Sequence, residues 1–422
     1  MTASEIHRTI DAVWRMESPR LIAALARMLR DVGLAEEFAQ DALVSALERW
    51  PESGVPDNPG AWLMATAKHR AIDRLRRSKL QQRKHEELAY DLEEANEDMA
   101  GPDDTARLDD DIGDDLLRLI FTACHPVLGT EARIALTLRL LGGLTTDEIA
   151  RAFLVPEATI AQRIVRAKRT LADRQVPYEV PRGDELAERL GTVLHVIYLI
   201  FNEGYSATAG DDWLRPALCD EALRLGRVLA GLAPLEPEVH GLVALMEIQA
   251  SRAHARTGAD GQPILLLEQN RARWDRLLIR RGLESLERAV RLGGAEGPYA
   301  LQAAIAACHA RALAADATDW TRIAALYAAL ADVMPSPIVE LNRAVALSMA
   351  IGPEAGLRHV DTLTSEPTLK DYHLLPSVRG DFLKKLGRLD EARAEFQRAA
   401  AMTQNSRERT LLLQRAASCA NA

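Results

Sequence analysis

The chain is 422 residues long, which at roughly 150 residues per domain argues for about three domains instead of one core. With 48% hydrophobic and 27% charged residues, 25 Gly and 19 Pro, it is neither collagen-like nor wholly disordered. The 52 Lys and Arg against 61 Asp and Glu give a formal charge of -9, so an affinity for nucleic acid would have to come from local basic segments.

Aromatic residues make up only 5%, and Ala, Leu, Arg and Glu abound while runs of Val, Ile, Thr and Tyr are scarce. That composition predicts an all-α protein. Cys124, Cys219, Cys308 and Cys419 are too scattered to suggest a metal-ligand pair or a disulfide framework. The N-terminus, Met1-Thr2-Ala3-Ser4-Glu5, lacks a basic start followed by an apolar core. No stretch reaches the roughly 18 uncharged apolar residues that a membrane helix needs. The expectation is a cytoplasmic protein with no membrane association.

Taken in chain order, helical periodicity first runs from Leu34 to Leu47, then Pro51 to Pro59 predict a loop, and Ala61-Trp62-Leu63 open a second helix to Arg77. Trp62, Leu63, Ala67, Ala71, Ile72 and Leu75 can pack, while Lys68, Arg70, Arg74 and Arg77 project outward beside an aromatic. Basic side chains interleaved with an aromatic suit single-stranded DNA, because bases stack while cations follow the backbone. From Lys68 to Lys84 the basic block is opposed by Asp73 alone. Directly afterwards, fourteen Asp and Glu between Glu86 and Asp115 face a single Arg107, which reads as an acidic linker.

The segment LTTDEIARAFLVPEATIAQRIVRAKRTL, Leu144 to Leu171, is the sharpest motif. Thr145 followed by Glu148 is a capping box that starts one helix, with Ile149, Ala150 and Phe153 inward. After a turn at Leu154-Val155, Pro156 opens a second helix as its first residue. There Ile160, Ile164, Ala167 and Leu171 form the inward stripe. Thr159, Gln162, Arg163, Arg166 and Arg169 lie opposite, long enough to reach base edges and phosphates from the major groove. This spacing predicts a helix-turn-helix; a plain helix pair with a solvated basic face is the alternative.

Pro177, Pro181 and Gly183 mark a boundary. In the following GTVLHVIYLIFNEGYSAT, Asn202-Glu203-Gly204-Tyr205 reads as a helix C-cap with Gly204 at positive φ, a contact site being the alternative, and His195 as a core histidine. Further on, segments starting near Pro298, Pro337, Tyr372 and Arg407 lie 39, 35 and 35 residues apart, close to a helix-pair period of about 34. Gly352 and Gly387 fall at turns within the pairs, and Ala344, Ala346, Ala392 and Ala399 let helices approach closely. Gly380 to Met402 resembles a tetratricopeptide repeat by itself; an Ala-rich bundle is the alternative. No phosphate-cradling loop, nucleophile motif or metal-spaced His-Glu pair occurs, and Cys124-His125, beside Pro126, reads as structural. The chain reads as a non-enzyme that uses no cofactor.

PGAWLMATAKHRAIDRLRR, preceded by AEEFAQDALVSALERW and followed after the acidic linker by the helix-turn-helix, resembles a bacterial RNA polymerase sigma factor of the extracytoplasmic-function group over roughly Ile10 to Arg174. The resemblance implies two small helical sigma domains, the second with the helix-turn-helix, and core RNA polymerase and promoter DNA as partners. By position it assigns Glu36, Gln40 and Asp41 to polymerase binding, the helix Ala61 to Arg77 to promoter melting, and the loop Pro51 to Gly60 to a flipped base. His69 stands in the melting helix where such proteins often have Asn. The acidic linker matches a segment that threads through polymerase, and the helix-turn-helix matches the reader of the minus-thirty-five element.

The C-terminal half is similar to the tetratricopeptide-like tail of one sigma subgroup, in which regulation resides in the tail. The expected organisation is therefore a region 2 domain at 1–80, the acidic linker at 81–111, a region 4 domain at 112–176, and a helical extension at 184–422 with repeats from about 282. Intramolecular contact of that extension is part of the expectation. Two rivals are a polymerase-independent helix-turn-helix regulator with a helical sensor tail, and a repeat-type scaffold.

Overall fold

The computed structural model describes residues 3–86, 108–153, 155–207, 209–210, 214–258 and 261–420. The central part of the acidic linker, 87–107, and Leu154 of the expected turn lie outside them. The described residues form two compact units, residues 1–196 and residues 197–422, and are overwhelmingly helical.

The first unit starts with α1 (Ala3–Leu29), α2 (Val32–Ser53) and α3 (Pro59–Glu86). Asp31 caps α2 by accepting from Leu34 N at 3.0 Å, and Asn58 Oδ1 accepts from Ala61 N at 3.0 Å at the start of α3. The loop expected from Pro51 is shorter than the sequence suggests. Pro51 stays in the last turn of α2, which ends where Gly54, at φ 83°, donates to Trp50 O. α3 likewise continues past Arg77 to Glu86, so the first part of the expected linker is helical, because nothing between Arg77 and Glu86 breaks a helix.

After the undescribed segment come α4 (Leu108–Ala123), α5 (Thr130–Leu140), α6 (Thr146–Phe153) and α7 (Glu157–Asp173). The linker's last residues are thus the first turn of α4. The capping box is made on both sides: Thr145 Oγ1 accepts from Glu148 N at 3.1 Å, and Thr145 N donates to Glu148 Oε2 at 2.8 Å. Pro156 is the N-cap of α7 and not its first helical residue, since its ψ of 142° is extended. Cys124 is buried, and His125 Nδ1 accepts from Val127 N at 3.1 Å, which makes the pair a turn element.

α8 (Asp184–Tyr205) crosses the division between the units. Two expectations fail here. Gly204 lies within the helix and is not among the positive-φ glycines; a Cβ there would come within 2.6 Å of Cys219 N and 2.9 Å of its Sγ. Its role is to admit the next helix, α9 (Pro216–Leu232), at close range, a contact that the local sequence around Gly204 does not announce. His195 is exposed, because the buried stripe of α8 passes through Val193, Leu194, Val196 and Ile197 and leaves position 195 outside.

The second unit continues with α10 (Pro237–Ala250), α11 (Arg276–Arg291), α12 (Pro298–Arg311), α13 (Trp320–Val333), α14 (Pro337–Ile351), α15 (Pro353–Leu363), α16 (Leu374–Lys385), α17 (Leu389–Met402) and α18 (Ser406–Ser418). From α12 to α17 consecutive helices pack as antiparallel pairs, as in a tetratricopeptide-like array. Gly352 at φ 113° and Gly387 at φ 76° turn the chain between α14 and α15 and between α16 and α17. Ala344, Ala346, Ala392 and Ala399 are all buried at the helix contacts. A two-residue parallel pairing, β1 (Ala209–Gly210) with β2 (Gln404–Asn405), joins the start of this unit to its end.

Gly204→Ala should destabilise the protein by roughly 1–3 kcal/mol, since the added methyl meets backbone and not a movable side-chain tip. Urea unfolding measures it; an unchanged midpoint would show that α8 and α9 part easily.

Candidate nucleic-acid interface

α7 separates its two faces by register alone. Ile160, Ile164, Ala167 and Leu171 are buried, and at about 100° per residue Gln162, Arg166 and Arg169 point directly away from them. All three are exposed, and Thr159 sits beside them half-buried. Arg169 lies 3.5 Å from Asp173 one turn on, an exposed pair with little holding power. Arg163 differs. It flanks the stripe and pairs with Glu131 of α5 at 2.5 Å, lining a 140 Å³ apolar cavity with Ile134, Phe153 and Ile160. Of the five residues, four are presented together and Arg163 is already engaged.

On α3 the stripe Leu63, Ala67 and Ala71 is buried and Ala61, Ala65 and His69 face away from it, while Arg70 and Arg74 are exposed although they lie close to the stripe in register. Trp62 packs edge-on against the fully buried Trp50, ring centroids 5.4 Å apart at 68°, so its indole is fixed in orientation while half-exposed. His69 is 81% exposed and lies 3.9 Å from Asp73. Helical register gathers Trp62, His69 and Arg70 on one side, whereas Lys68 falls about 160° from Arg70 on the far edge of the stripe. The side chain of Arg77 lies outside the described residues. Arg70 donates to Ser45 Oγ at 2.8 Å and lies 3.4 Å from Asp41. A residue expected at DNA is therefore tied to one expected at polymerase.

The three α2 residues expected at polymerase are placed differently. Asp41 is about half-exposed, and Gln40 donates from Nε2 to Glu36 at 2.5 Å. Glu36 is only 3% exposed: Arg139 Nε of α5 reaches its Oε1 at 2.7 Å, and the Lys168 ammonium of α7 pairs with its Oε2. Neither Arg139 nor Lys168 was singled out by the sequence. For Lys168 a signal existed, because it borders Ala167 and Leu171 in register and so flanks the core instead of sharing the outward face. Arg139 carried none, since its partner is 103 residues away.

Other groups complete the packing of α1 to α3 on α4 to α7. Asp115, 1% exposed, is held by Arg27 at 2.9 Å and Arg118 at 2.6 Å. The Tyr178 hydroxyl lies 3.0 Å from Ala23 O and 2.9 Å from Asp115 O, and burial raises its pKa far above the ordinary tyrosine value. Arg189 donates to Phe121 O at 2.9 Å. Tyr178, inside the Pro177–Gly183 segment, and Arg189, beyond it, thus both join the packing of the first unit.

Comparison with known proteins decides what this arrangement is. Residues 13–81 match "Sigma-70 region 2", residues 118–171 match "Sigma-70, region 4", and residues 189–290 match a "Family of unknown function (DUF6596)". The chain is 32% identical over 156 residues to the "ECF RNA polymerase sigma factor SigK" of Mycobacterium ulcerans, covering 36% of this chain and 78% of that protein. It belongs to the ECF RNA polymerase sigma factors. It is also 45% identical over 400 residues to the "Uncharacterized protein R00370" of Rhizobium meliloti, covering 94% and 93% of the two chains. The "Probable ECF RNA polymerase sigma factor SigI" of Mycobacterium tuberculosis is 26% identical over 41% of this chain and 58% of its own length. Among solved structures, yeast Tom70 aligns with 96% of this chain and 82% of its own at a TM-score of 0.38 and 12% identity. Trp62 to Arg77 of α3 and Thr159 to Arg169 of α7 lie within the two matched regions of this sigma factor.

Arg166→Ala should weaken binding to promoter duplex more than Arg163→Ala, and should reduce the slope of log affinity against log salt by about 1. Fluorescence anisotropy across a salt series measures both. The reverse order would mean that Arg163, once released from Glu131, is the stronger DNA contact of the two.

Proposed function

We propose that this protein is a transcription initiation factor that joins core RNA polymerase in the cytoplasm, recognises a two-part promoter and opens it, and that its own C-terminal unit regulates it. The observation that carries this reading is the outward face of Gln162, Arg166 and Arg169, with Thr159 beside them, built opposite a buried stripe and so able to enter a groove. In this reading Arg163 joins that face when it leaves Glu131. Trp62, Lys68, His69, Arg70, Arg74 and Arg77 serve the melted strand, with Trp62 as the stacking platform and the cations along the backbone. Glu36, Gln40 and Asp41 of α2 serve the polymerase. Region 2 then spans 1–80 and region 4 spans 112–176, the acidic segment between them threading through polymerase.

Nothing in this reading uses a cofactor or a catalytic group. No described helix is long and apolar enough to cross a membrane. The C-terminal unit acts by intramolecular contact, its paired helices offering the extended surface typical of helical repeats.

Transcription with purified core enzyme tests the reading. The intact chain should direct a promoter-dependent transcript, and should shift promoter DNA tightly with core enzyme but not alone. An equal shift without polymerase would favour a free-standing helix-turn-helix regulator. A chain ending at Val196 keeps Tyr178 and Arg189, which a cut at Val176 would remove; its output should differ several-fold from that of the intact chain, and equal output would remove the regulatory role.

A further inference from the structure

A carboxylate is almost never fully buried unless it is paired, because water solvates its charge far better than a protein interior does. Glu36 meets that requirement with groups from the other sigma region. Arg139 and Lys168 come from two different helices of region 4 and take one oxygen each, while Gln40 of region 2 shares Oε1. Around this centre region 4 lies directly on region 2. Gly143, in the turn after α5 at φ 64°, sits so close to α1 that a Cβ there would be 3.5 Å from Arg15 Cα and 3.1 Å from Ser18 Oγ. Arg15 in turn pairs with Glu148 at 2.5 Å, the same carboxylate that closes the capping box of α6. Asp115 holds Arg27 of α1 beneath.

We infer that region 4 of this chain competes with core polymerase for the α2 face of region 2, Glu36 being the carboxylate both require. The inference rests on the assignment of Glu36, Gln40 and Asp41 to polymerase. With Arg139 and Lys168 in place, Glu36 is not available to another protein. Polymerase therefore takes the fraction of molecules in which region 4 has swung away, and the apparent affinity falls in proportion to that fraction. An ionic centre suits such a switch. Its cations can be exchanged for those of an incoming partner, and Lys168 and Arg139, each about a fifth exposed, remain within reach of solvent and salt. Loss of both cations would leave a buried carboxylate unpaired in the closed state, which shifts the population towards the open one.

The approach of Gly143 to Ser18 supplies the test. In full-length protein carrying S18C and G143C, a mild oxidant should join the two positions, seen as a cross-linked peptide by mass spectrometry and reversed by dithiothreitol. The bridged form should bind core polymerase at least tenfold more weakly in interferometry, and reduction should restore the affinity of the unmodified protein. Adding R139Q and K168Q should slow formation of the bridge several-fold and tighten polymerase binding of the reduced form. Failure of the bridge to form, undiminished polymerase binding by the bridged protein, or no effect of the two charge removals would each overturn the inference. Should the unmodified and reduced proteins both fail to bind polymerase, the assignment of α2 falls instead, and that result is distinct because it precedes any bridging.

Discussion

Two buried carboxylates organise the first unit. Glu36 and Asp115 each collect cations from more than one helix, and a group so placed has either all its partners or a large desolvation penalty. Such sites specify one arrangement more sharply than apolar contact does, because a slipped helix would strand the charge. The packing of region 4 on region 2 therefore has a defined register even though the chain between α3 and α4 is highly acidic and rich in polar residues.

The second unit uses shape beside buried charges such as Glu247 with Arg227 and Arg271 with the carbonyls of His309 and Ala312. Its helix pairs approach through alanine and glycine, as where Gly356 lies against Ser348 and the carbonyl of Ala344, or Gly380 against the ring of Phe396. Phe382 and Phe396 fill the space between them and are fully buried. Small residues at a contact allow backbones to come near, and large ones fill the remaining volume to the density of a protein interior. This construction suits an array in which each pair depends chiefly on its neighbours.

Function in the sigma regions follows from helices with two unlike faces. α7 spends one face on the core and, in the proposed function, keeps the other for nucleic acid; α3 does the same there with a tryptophan held by a second tryptophan. The edges of those helices have separate duties. Lys168 and Arg163, on opposite flanks of α7, reach to α2 and α5, so the same helix that offers cations outward also anchors its own region.

The sequence by itself determined the all-helical class, the capping box at Thr145 and Glu148, the inward stripe of α7 and the turns at Gly352 and Gly387. Each of these depends on residues within about one or two helical turns, where spacing is geometry. It misplaced Gly204 and His195 because a glycine's need for space and a histidine's burial or exposure depend on which face of α8 is covered by other helices, and the local pattern does not fix that. Only the tertiary structure decided that Glu36 would be buried under Arg139 and Lys168, because a pairing between charges 103 and 132 residues apart leaves no periodic trace along the chain.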